Sequence, residues 1–472
     1  MKKIFLHLSA ILLFTSITRA QFGSIGSSDA RSMSLGNTYN MISRGVYSIG
    51  INPSNLIISP DNSLEFNTVL PIPFLSLGTG TNFINLKNVN YYFGKVNDQP
   101  RILTENDKQN LNSLFANGGL VFINTSVNLL SVTYKADNNI GAFGFAMKDH
   151  LEGEFHFPHE VTNLLTDGNL INHTYNTNDA KVKAWWIREY SLSYARQLPD
   201  LGLKPIDKIN VGISLKLVNG FFYLKNESIN SYLQTTSDYR INLYANNQIL
   251  GAFSNNFGFK YSNDTTESQG RGTPFPSPAG TGFGMDIGLN STIFKVWNVS
   301  LALTDIGGIN WNENTTMITD TGSYTINDIS HGHFLDSLKN QFDGEKIKTG
   351  SFSSGLPTAL RLGVSYNLDI NHNSWPGRFL FAFDYNQGFN NEPGNSLTPR
   401  FSVGAEWKPM DWIPFVRTGF SFGGLLGFHW GFGLGIETSF LEFNIGTLDL
   451  QSLLAPNSGK YFSLAIDSRW RF

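Results

Sequence analysis

The sequence predicts an all-β fold, a transmembrane antiparallel β-barrel of about 14 strands. Three observations predict it. Large apolar residues alternate with polar or tiny ones through much of the second half, as strands with two different faces require. Long and short connections alternate along the chain. The last strand sorts its charges onto one face and ends on an aromatic residue, in a chain that opens with an export leader.

Residues 1–20 read as that leader. Lys2 and Lys3 form the charged start, an apolar stretch runs from Ile4 to Ile17, and Thr18-Arg19-Ala20 offers small residues to a signal peptidase. Gln21 then becomes the N-terminus. A short membrane anchor is the weaker alternative, because roughly 14 apolar residues fall short of the ~20 that span a bilayer. No other apolar run reaches that length, so any membrane crossing falls to strands.

Composition agrees. Of 472 residues, 15% are charged and 14% aromatic, and 46 are Gly. Soluble domains carry roughly a quarter charged residues, so this chain suits an exterior that needs little charge. The formal net charge of -3 argues against a polyanion-binding surface, and no nucleic-acid partner is expected. Cysteine is absent, which excludes disulfides, thiol nucleophiles, Cys-based zinc or iron–sulfur sites and a lipid anchor on an N-terminal cysteine.

Candidate strands fall at about 62–71, 120–135, 140–155, 185–197, 208–225, 280–292 and 297–306, then at about 357–369, 377–388, 399–408, 413–423, 427–438, 440–449 and 460–472. The gaps after the first, third, fifth and seventh are long, at about 48, 29, 54 and 50 residues; those after the second, fourth, sixth and eighth are about 4, 10, 4 and 8. Short periplasmic turns and longer outer loops produce this rhythm, and an even strand number returns both termini to the periplasm. In 428–437, large apolar groups take one face while Gly431, Gly433, Gly435, His429 and Glu437 take the other. So much Gly on the inner face points to a crowded interior or close contact with a plug.

In the final strand Phe462, Leu464, Ile466, Trp470 and Phe472 share one face, and Ser463, Ala465, Asp467, Arg469 and Arg471 share the other. Ser468 is the one small residue on the outer face. A charge at mid-depth facing lipid costs ~2–4 kcal/mol, so the charged face must be the lumen. Trp470 and the terminal Phe472 resemble the C-terminal signal read by the barrel-assembly machinery.

Three insertions break the pattern. Thr104-Glu105-Asn106-Asp107 reads as a helix cap, with Leu111, Leu114 and Phe115 as an apolar stripe and Gly118-Gly119 as the stop. Phe334, Leu335, Leu338 and Phe342 stand at helical spacing, and 273–278 reads as an extended Pro-rich linker. The helices either cap the barrel mouth or decorate exposed loops.

The stretch from Asp29-Ala30-Arg31 through Gly36 to Asn52-Pro53-Ser54 resembles the N-terminal segment of FadL-like outer-membrane proteins, with Ser54 where an Ala is usual. That resemblance implies a fourteen-stranded barrel in the bacterial outer membrane, an N-terminal hatch folded inside it, and passage of hydrophobic molecules. The hatch motif is then Asp29, Arg31, Gly36, Asn52 and Pro53. Organisation follows as a signal peptide over 1–20, a hatch over 21–61 and the barrel over 62–472. Physically, a Gly-, Ser- and Asn-rich segment can satisfy its backbone against polar lumen groups, and Pro53 would fix a turn where the hatch meets the first strand. A free periplasmic tail would not be so apolar at Met33, Leu35, Val46, Ile49 and Ile51. The chain is also similar, over nearly its whole length, to an uncharacterised Bacteroidetes outer-membrane family, through Arg44-Gly45-Val46, the 301–307 run with Trp311, and the 399–407 run. The Asp29–Ser32 opening resembles a barrel of the type IX secretion system.

Chemistry is sparse. No nucleophile elbow or P-loop occurs. His150, His156 and His159 near Glu152 and Glu154, and the pair His331 and His333, read as ordinary loop residues rather than metal ligands. Asp305, Arg361, Asp384, Glu406, Arg417 and Glu437 fall on the inferred lumen face and are expected to hold the hatch rather than catalyse. No enzyme activity, cofactor or metal is expected. Expected partners are outer-membrane lipid, the barrel-assembly machinery, and a hydrophobic small molecule or a secretion-system component. The expected function is a FadL-like channel or transporter for hydrophobic or amphipathic small molecules. The alternative is a non-conducting surface or secretion-partner barrel, and a soluble β-sandwich is a distant third.

Overall fold

A computed structural model describes residues 29–472 apart from 61–62, 117, 138, 203–204, 264–269, 327–343, 369–376, 411 and 425–426. The leader and the 334–342 helix lie outside the described residues. Fourteen antiparallel strands close into one barrel. They are β1 (Ser63–Thr68, resumed at Phe74–Thr81), β2 (Gly119–Lys135), β3 (Ala142–Phe157), β4 (Lys181–Gln197), β5 (Ile206–Ser228), β6 (Gly280–Ile293) and β7 (Trp297–Trp311). The circuit continues with β8 (Ala359–Leu368), β9 (Arg378–Gly388), β10 (Arg400–Lys408), β11 (Phe415–Gly423), β12 (His429–Glu437), β13 (Leu441–Thr447) and β14 (Tyr461–Arg471). Pairs such as Phe66↔Trp470 and Leu75↔Ile466 join β14 back to β1 and leave no open edge.

Sidedness follows the alternation. On β9, Phe381 and Phe383 are 49% and 44% exposed while Asp384 is fully buried. On β14, Phe462 and Leu464 face outward, and Ser463, Ala465, Asp467 and Arg469 are buried. Aromatic pairs gather near the short-turn rim, including Trp297 with Tyr366 at 4.8 Å and Phe379 with Trp407 at 5.4 Å between ring centres. Such amphipathic rings belong at a membrane–water interface. Among the described residues no helix is long and apolar enough to cross a membrane; the strands do so.

Two details depart from the sequence expectation. The first strand is longer than 62–71 and broken between its halves. Ser468, the misplaced small residue of β14, lies opposite that break, where its hydroxyl donates to the Ile72 carbonyl at 3.3 Å and its own carbonyl accepts from Asn67. Outside the wall, Asp149 and Arg188 form an ion pair at 2.5 Å although both sit at outward positions. The Pro-rich 273–278 stretch covers them: Arg188 donates to the Pro274 carbonyl at 2.8 Å and lies 4.7 Å from the centre of the Phe275 ring.

The outer connections are less loop-like than expected. Strands Ser231–Thr235, Ile241–Phe253, Thr316–Ile326 and Glu345–Lys348 extend the barrel sheet outward, joined to β5 through pairs such as Gly251↔Leu224. Helices α2 (Leu86–Phe93), α3 (Glu105–Leu114) and α4 (His159–Asp167) also belong to these connections. The expected cap of α3 is a reciprocal box. Thr104 accepts from the Asp107 N–H at 3.2 Å, and the Asp107 carboxylate accepts from the Thr104 N–H at 2.9 Å.

Two outcomes test these elements. Leu464→Arg places a charge on the lipid face and should destabilise the barrel by about 2–4 kcal/mol; the heat-modifiable folded band on a gel should shrink accordingly. The Thr104 N–H, then its hydroxyl, then Tyr91 hold the Asp107 carboxyl below its ordinary 3.8. Its contribution to α3 is therefore complete above that value and lost as pH falls through the lower folded one. The protection factors of α3 amides, taken against the intrinsic exchange rate at each pH, should stay constant from neutrality down to the ordinary carboxyl value of 3.8 and fall as the pH is lowered further.

Candidate functional site: the lumen

Residues 29–60 lie almost wholly buried against the inner wall. Their start is α1 (Ala30–Ser34), capped by Asp29, whose carboxylate accepts from the Ser32 N–H at 2.7 Å. Inward carboxylates of the wall hold the segment. Asp467 accepts from the Ala30 N–H at 2.6 Å and from the Tyr47 hydroxyl at 2.6 Å. Glu406 takes both arms of the Arg31 guanidinium, at 2.9 and 3.0 Å, and also pairs with Arg417 at 2.5 Å. Asp384 accepts from the Tyr39 and Asn40 backbone N–H groups, the latter at 2.7 Å. Burial works against the Arg31 cation, yet Glu406 beside it raises its pKa well above the ordinary value.

Glycine makes the contact close. A methyl built on Gly404 would stand 2.9 Å from the Leu35 carbonyl oxygen, and one on Gly363 would stand 2.8 Å from the Met41 nitrogen. From the other side Gly36, with φ of 65°, brings its backbone against β11, where a Cβ would sit 2.7 Å from the Phe420 nitrogen. Only glycine combines that left-handed backbone with that approach.

Of the other residues singled out, Asn52 caps a 3₁₀ turn over Pro53–Ile58, with Pro53 as its first residue. Pro53 therefore starts a helical turn, and does not mark a turn at the strand entry. Glu437 pairs with Arg44 at 3.0 Å and with Arg471 at 3.2 Å. Asp305 is brought inward by a bulge at which β6 and β7 shift register, with φ of 59°. There it joins Asp286 and Glu189 around Lys216. Arg361 is buried, and among the described residues its side chain hydrogen-bonds only the Thr304 hydroxyl, at 3.1 Å. Trp470 stacks on Phe66, and the Phe472 backbone exchanges hydrogen bonds with Leu64 at 2.8 Å.

His150, His156, Glu152 and Glu154 are not loop residues; they line the inner face of β3. His159 begins α4, and His331 and His333 lie outside the described residues. Among the described residues no group of three or more metal-ligating side chains occurs. Sequence reasoning passed over Lys216, Glu189, Asn444 and Glu442. Each is a polar residue at an inward position of an alternating strand, and that signal was present.

Among the described residues the lumen encloses a chamber and a vestibule. Above the 29–60 segment a chamber with about 90 Å³ of accessible space is lined by polar groups including Lys148, His150, Glu152, Glu189 and Arg361. It lies beside an apolar layer of Trp185, Ile187, Val218, Tyr223 and Trp311. The outer connection 389–399 turns inward: residues 392–396 are buried, Glu392 accepts from the Tyr223 hydroxyl at 3.1 Å, and Lys183 donates to the Asn391 carbonyl at 3.0 Å. Toward the periplasm a vestibule of about 700 Å³ opens between Arg31, Arg44, Asn210, Asn290 and Arg378. Outside, α4 and the outer strands enclose an apolar groove of about 480 Å³ that includes Val161, Leu164, Tyr232 and Leu243.

A closed wall with an apolar belt and an interior lined by paired charges defines an outer-membrane β-barrel. A family model matches residues 61–447, and the chain belongs to that family, described as a family of unknown function (DUF5723). No curated protein matches. Among solved structures the chain is similar to the Ralstonia pickettii toluene transporter TbuX, at 12% identity over 95% of this chain and 98% of that one, with a TM-score of 0.46. The Pseudomonas putida toluene transporter TodX stands at 10% identity over 96% and 98%, with a TM-score of 0.43. A Pseudomonas aeruginosa FadL homologue stands at 10% identity over 95% and 99%, with a TM-score of 0.42.

Breaking the Glu406 bridge should loosen the segment without opening the wall. Glu406→Gln leaves Arg31 and Arg417 buried with no carboxylate between them, at a cost of about 3–5 kcal/mol. Limited proteolysis should then cut within 29–60 while the heat-modifiable barrel band persists. Cleavage no faster than in the parent protein would contradict the assigned role of Glu406.

Proposed function

We propose that this barrel admits amphipathic small molecules from the outer surface, with residues 21–61 as its movable hatch. One observation carries the reading: an apolar layer of Trp185, Tyr223 and Trp311 stands directly beside a polar chamber in the same lumen. A molecule with a greasy part and a polar part meets both of its surfaces there. The outer apolar groove supplies a first resting place, and the periplasmic vestibule supplies an exit. Passage requires the segment to move, because its helical turns and ion pairs stand between chamber and vestibule. The segment is fastened by polar contacts, which exchange with water on release, and by apolar packing of residues such as Leu35, Val46, Ile49 and Leu56. Export by a cleaved leader and insertion by the barrel-assembly machinery belong to the same proposal. So does the absence of catalysis, the lumen residues serving as fasteners.

A second reading, a non-conducting surface or secretion-partner barrel, draws on the outer sheet that extends β5 beyond the wall. Such a sheet offers a protein-binding face, and a specific partner recovered from cross-linked outer membranes would favour it.

The transport reading is tested with a tethered hatch. Asn40 and Asn386 meet side chain to side chain at 3.1 Å, and the chain has no native cysteine to interfere. Cysteines at both positions, bridged by a short reducible bifunctional thiol reagent, should cut decanoate uptake into proteoliposomes at least tenfold, with recovery on reduction. Uptake equal to that of protein-free liposomes before bridging, or unaffected by the bridge, would rule the reading out.

A further inference from the structure

The outer rim beside β14 carries an apolar surface that the barrel does not cover. On α2 the residues Leu86, Val89 and Phe93 stand at i, i+3 and i+7 and so share one face, with Asn90 the one polar residue among them. A helix of a globular protein turns such a stripe toward the core. Here the three side chains are 47%, 38% and 64% exposed, and no residue of the helix is buried. Polar groups hold the helix in place instead. Asn85 caps it by accepting from the Asn88 N–H at 2.8 Å, and Tyr91 donates to Asp107 of α3 at 2.8 Å. A second short helix, α5 (Leu450–Leu454), adds Leu453 and Leu454, both exposed, and the Pro456–Ser458 turn after it packs against α2.

Strand length sets the height of this surface. A transmembrane strand needs roughly 9–11 residues, and β14 has 11, so its outer end at Tyr461 already stands at the edge of the acyl layer. Thr81 closes the rim there, its N–H donating to the Lys460 carbonyl at 2.9 Å. The lipid-facing side chains run up to this rim through Leu464, Phe462 and Val121, all exposed, and α2 begins just beyond Thr81. Elsewhere β3, β4 and β5, with 16, 17 and 23 residues, carry the wall well past that level. Charge fits the same height. Lys87 and Lys95 flank the stripe, are exposed and make no ion pair among the described residues. Glu105 is taken by Lys108 and Asp107 by the α3 cap, which leaves Asp98 as the exposed acid nearby. We infer that α2 and α5 form an interfacial foot in the outer leaflet of the membrane: the apolar stripe enters the acyl layer, and Lys87 and Lys95 meet lipid phosphates. The foot continues the lipid belt of the wall. Through α3 it is also tied to the outer groove, since Thr166 of α4 donates to the Asn112 side chain of α3 at 2.7 Å. This inference rests on the outer-membrane location alone and is independent of what the lumen passes.

Spin labels read the depth of the foot directly, because the chain has no native cysteine. Val89→Cys, Phe93→Cys and Leu454→Cys are made one at a time in the full barrel, labelled with a nitroxide and reconstituted in vesicles of phosphatidylethanolamine and phosphatidylglycerol. Phe462→Cys marks the lipid belt, and Gln109→Cys on α3 marks water; the heat-modifiable band confirms that each variant is folded. Collisions with oxygen, measured relative to those with a water-soluble nickel chelate, should be at least threefold more frequent at the three test positions than at Gln109→Cys. They should approach the ratio at Phe462→Cys. Replacing both cations, Lys87→Gln with Lys95→Gln, should lower the ratio at Val89→Cys at least twofold. A ratio at the stripe equal to that at Gln109→Cys would place α2 in water and overturn the foot. Spin–spin broadening at the stripe would identify a second copy of the chain as its occupant, with the same consequence. A ratio unmoved by the double glutamine variant would overturn the phosphate contacts.

Discussion

Carboxylates buried on the inner wall are the constraint from which the rest follows. Asp384, Glu406 and Asp467 are each more than nine-tenths buried, and a carboxylate left unpaired there costs several kcal/mol. The wall itself supplies Arg417 and Asn444. The remaining donors come from residues 29–60: the Arg31 guanidinium, the Tyr47 hydroxyl and the backbone N–H groups of Ala30, Tyr39 and Asn40. The dependence is mutual. A short segment with little regular structure has backbone donors that need acceptors, and the lumen offers carboxylates rather than water.

Close approach then dictates the glycines. For Leu35 to reach the wall, Gly404 must lack a side chain, and for Asn40 and Met41 to do so, Gly363 must as well. The same strands carry Leu362 and Val403 on their other face, exposed to lipid. Period-2 geometry therefore binds two demands together: each strand offers a smooth or ionic face inward and a greasy face outward, and a shift of one residue would exchange them. The Asp149–Arg188 pair shows how strict this is. Placed outward, it is buried beneath Pro274 and Phe275 instead of facing acyl chains.

The strand plan was legible because alternation survives in a single sequence. From β2 to β14 the expected and observed strands coincide closely, and Asp384, Glu406 and Arg417 were placed inward by parity alone. Where parity breaks, legibility stops. Asp305 was placed inward too, but the bulge that carries it there was not read, because nothing local announces one. The break in β1 hid its second half, since Gly and Thr dominate 76–81 and present no greasy face. Outer strands such as Ile241–Phe253 went unread because both faces meet water or loops, which erases the contrast that alternation needs. The pairing of Arg31 with Glu406 lay equally out of reach: parity states which way a residue points, and not which of several inward charges it meets across the lumen.

Native-state hydrogen exchange on the assembled barrel, resolved by mass spectrometry, tests most directly that wall carboxylates hold the 29–60 segment in the lumen. The amides of Ala30, Tyr39 and Asn40, which donate to Asp467 and Asp384, should be protected nearly as well as those of β9 and β14 in neutral buffer. Exchange at the rate of an unstructured peptide across 29–60, with the strands still protected, would show that the segment is not bound there.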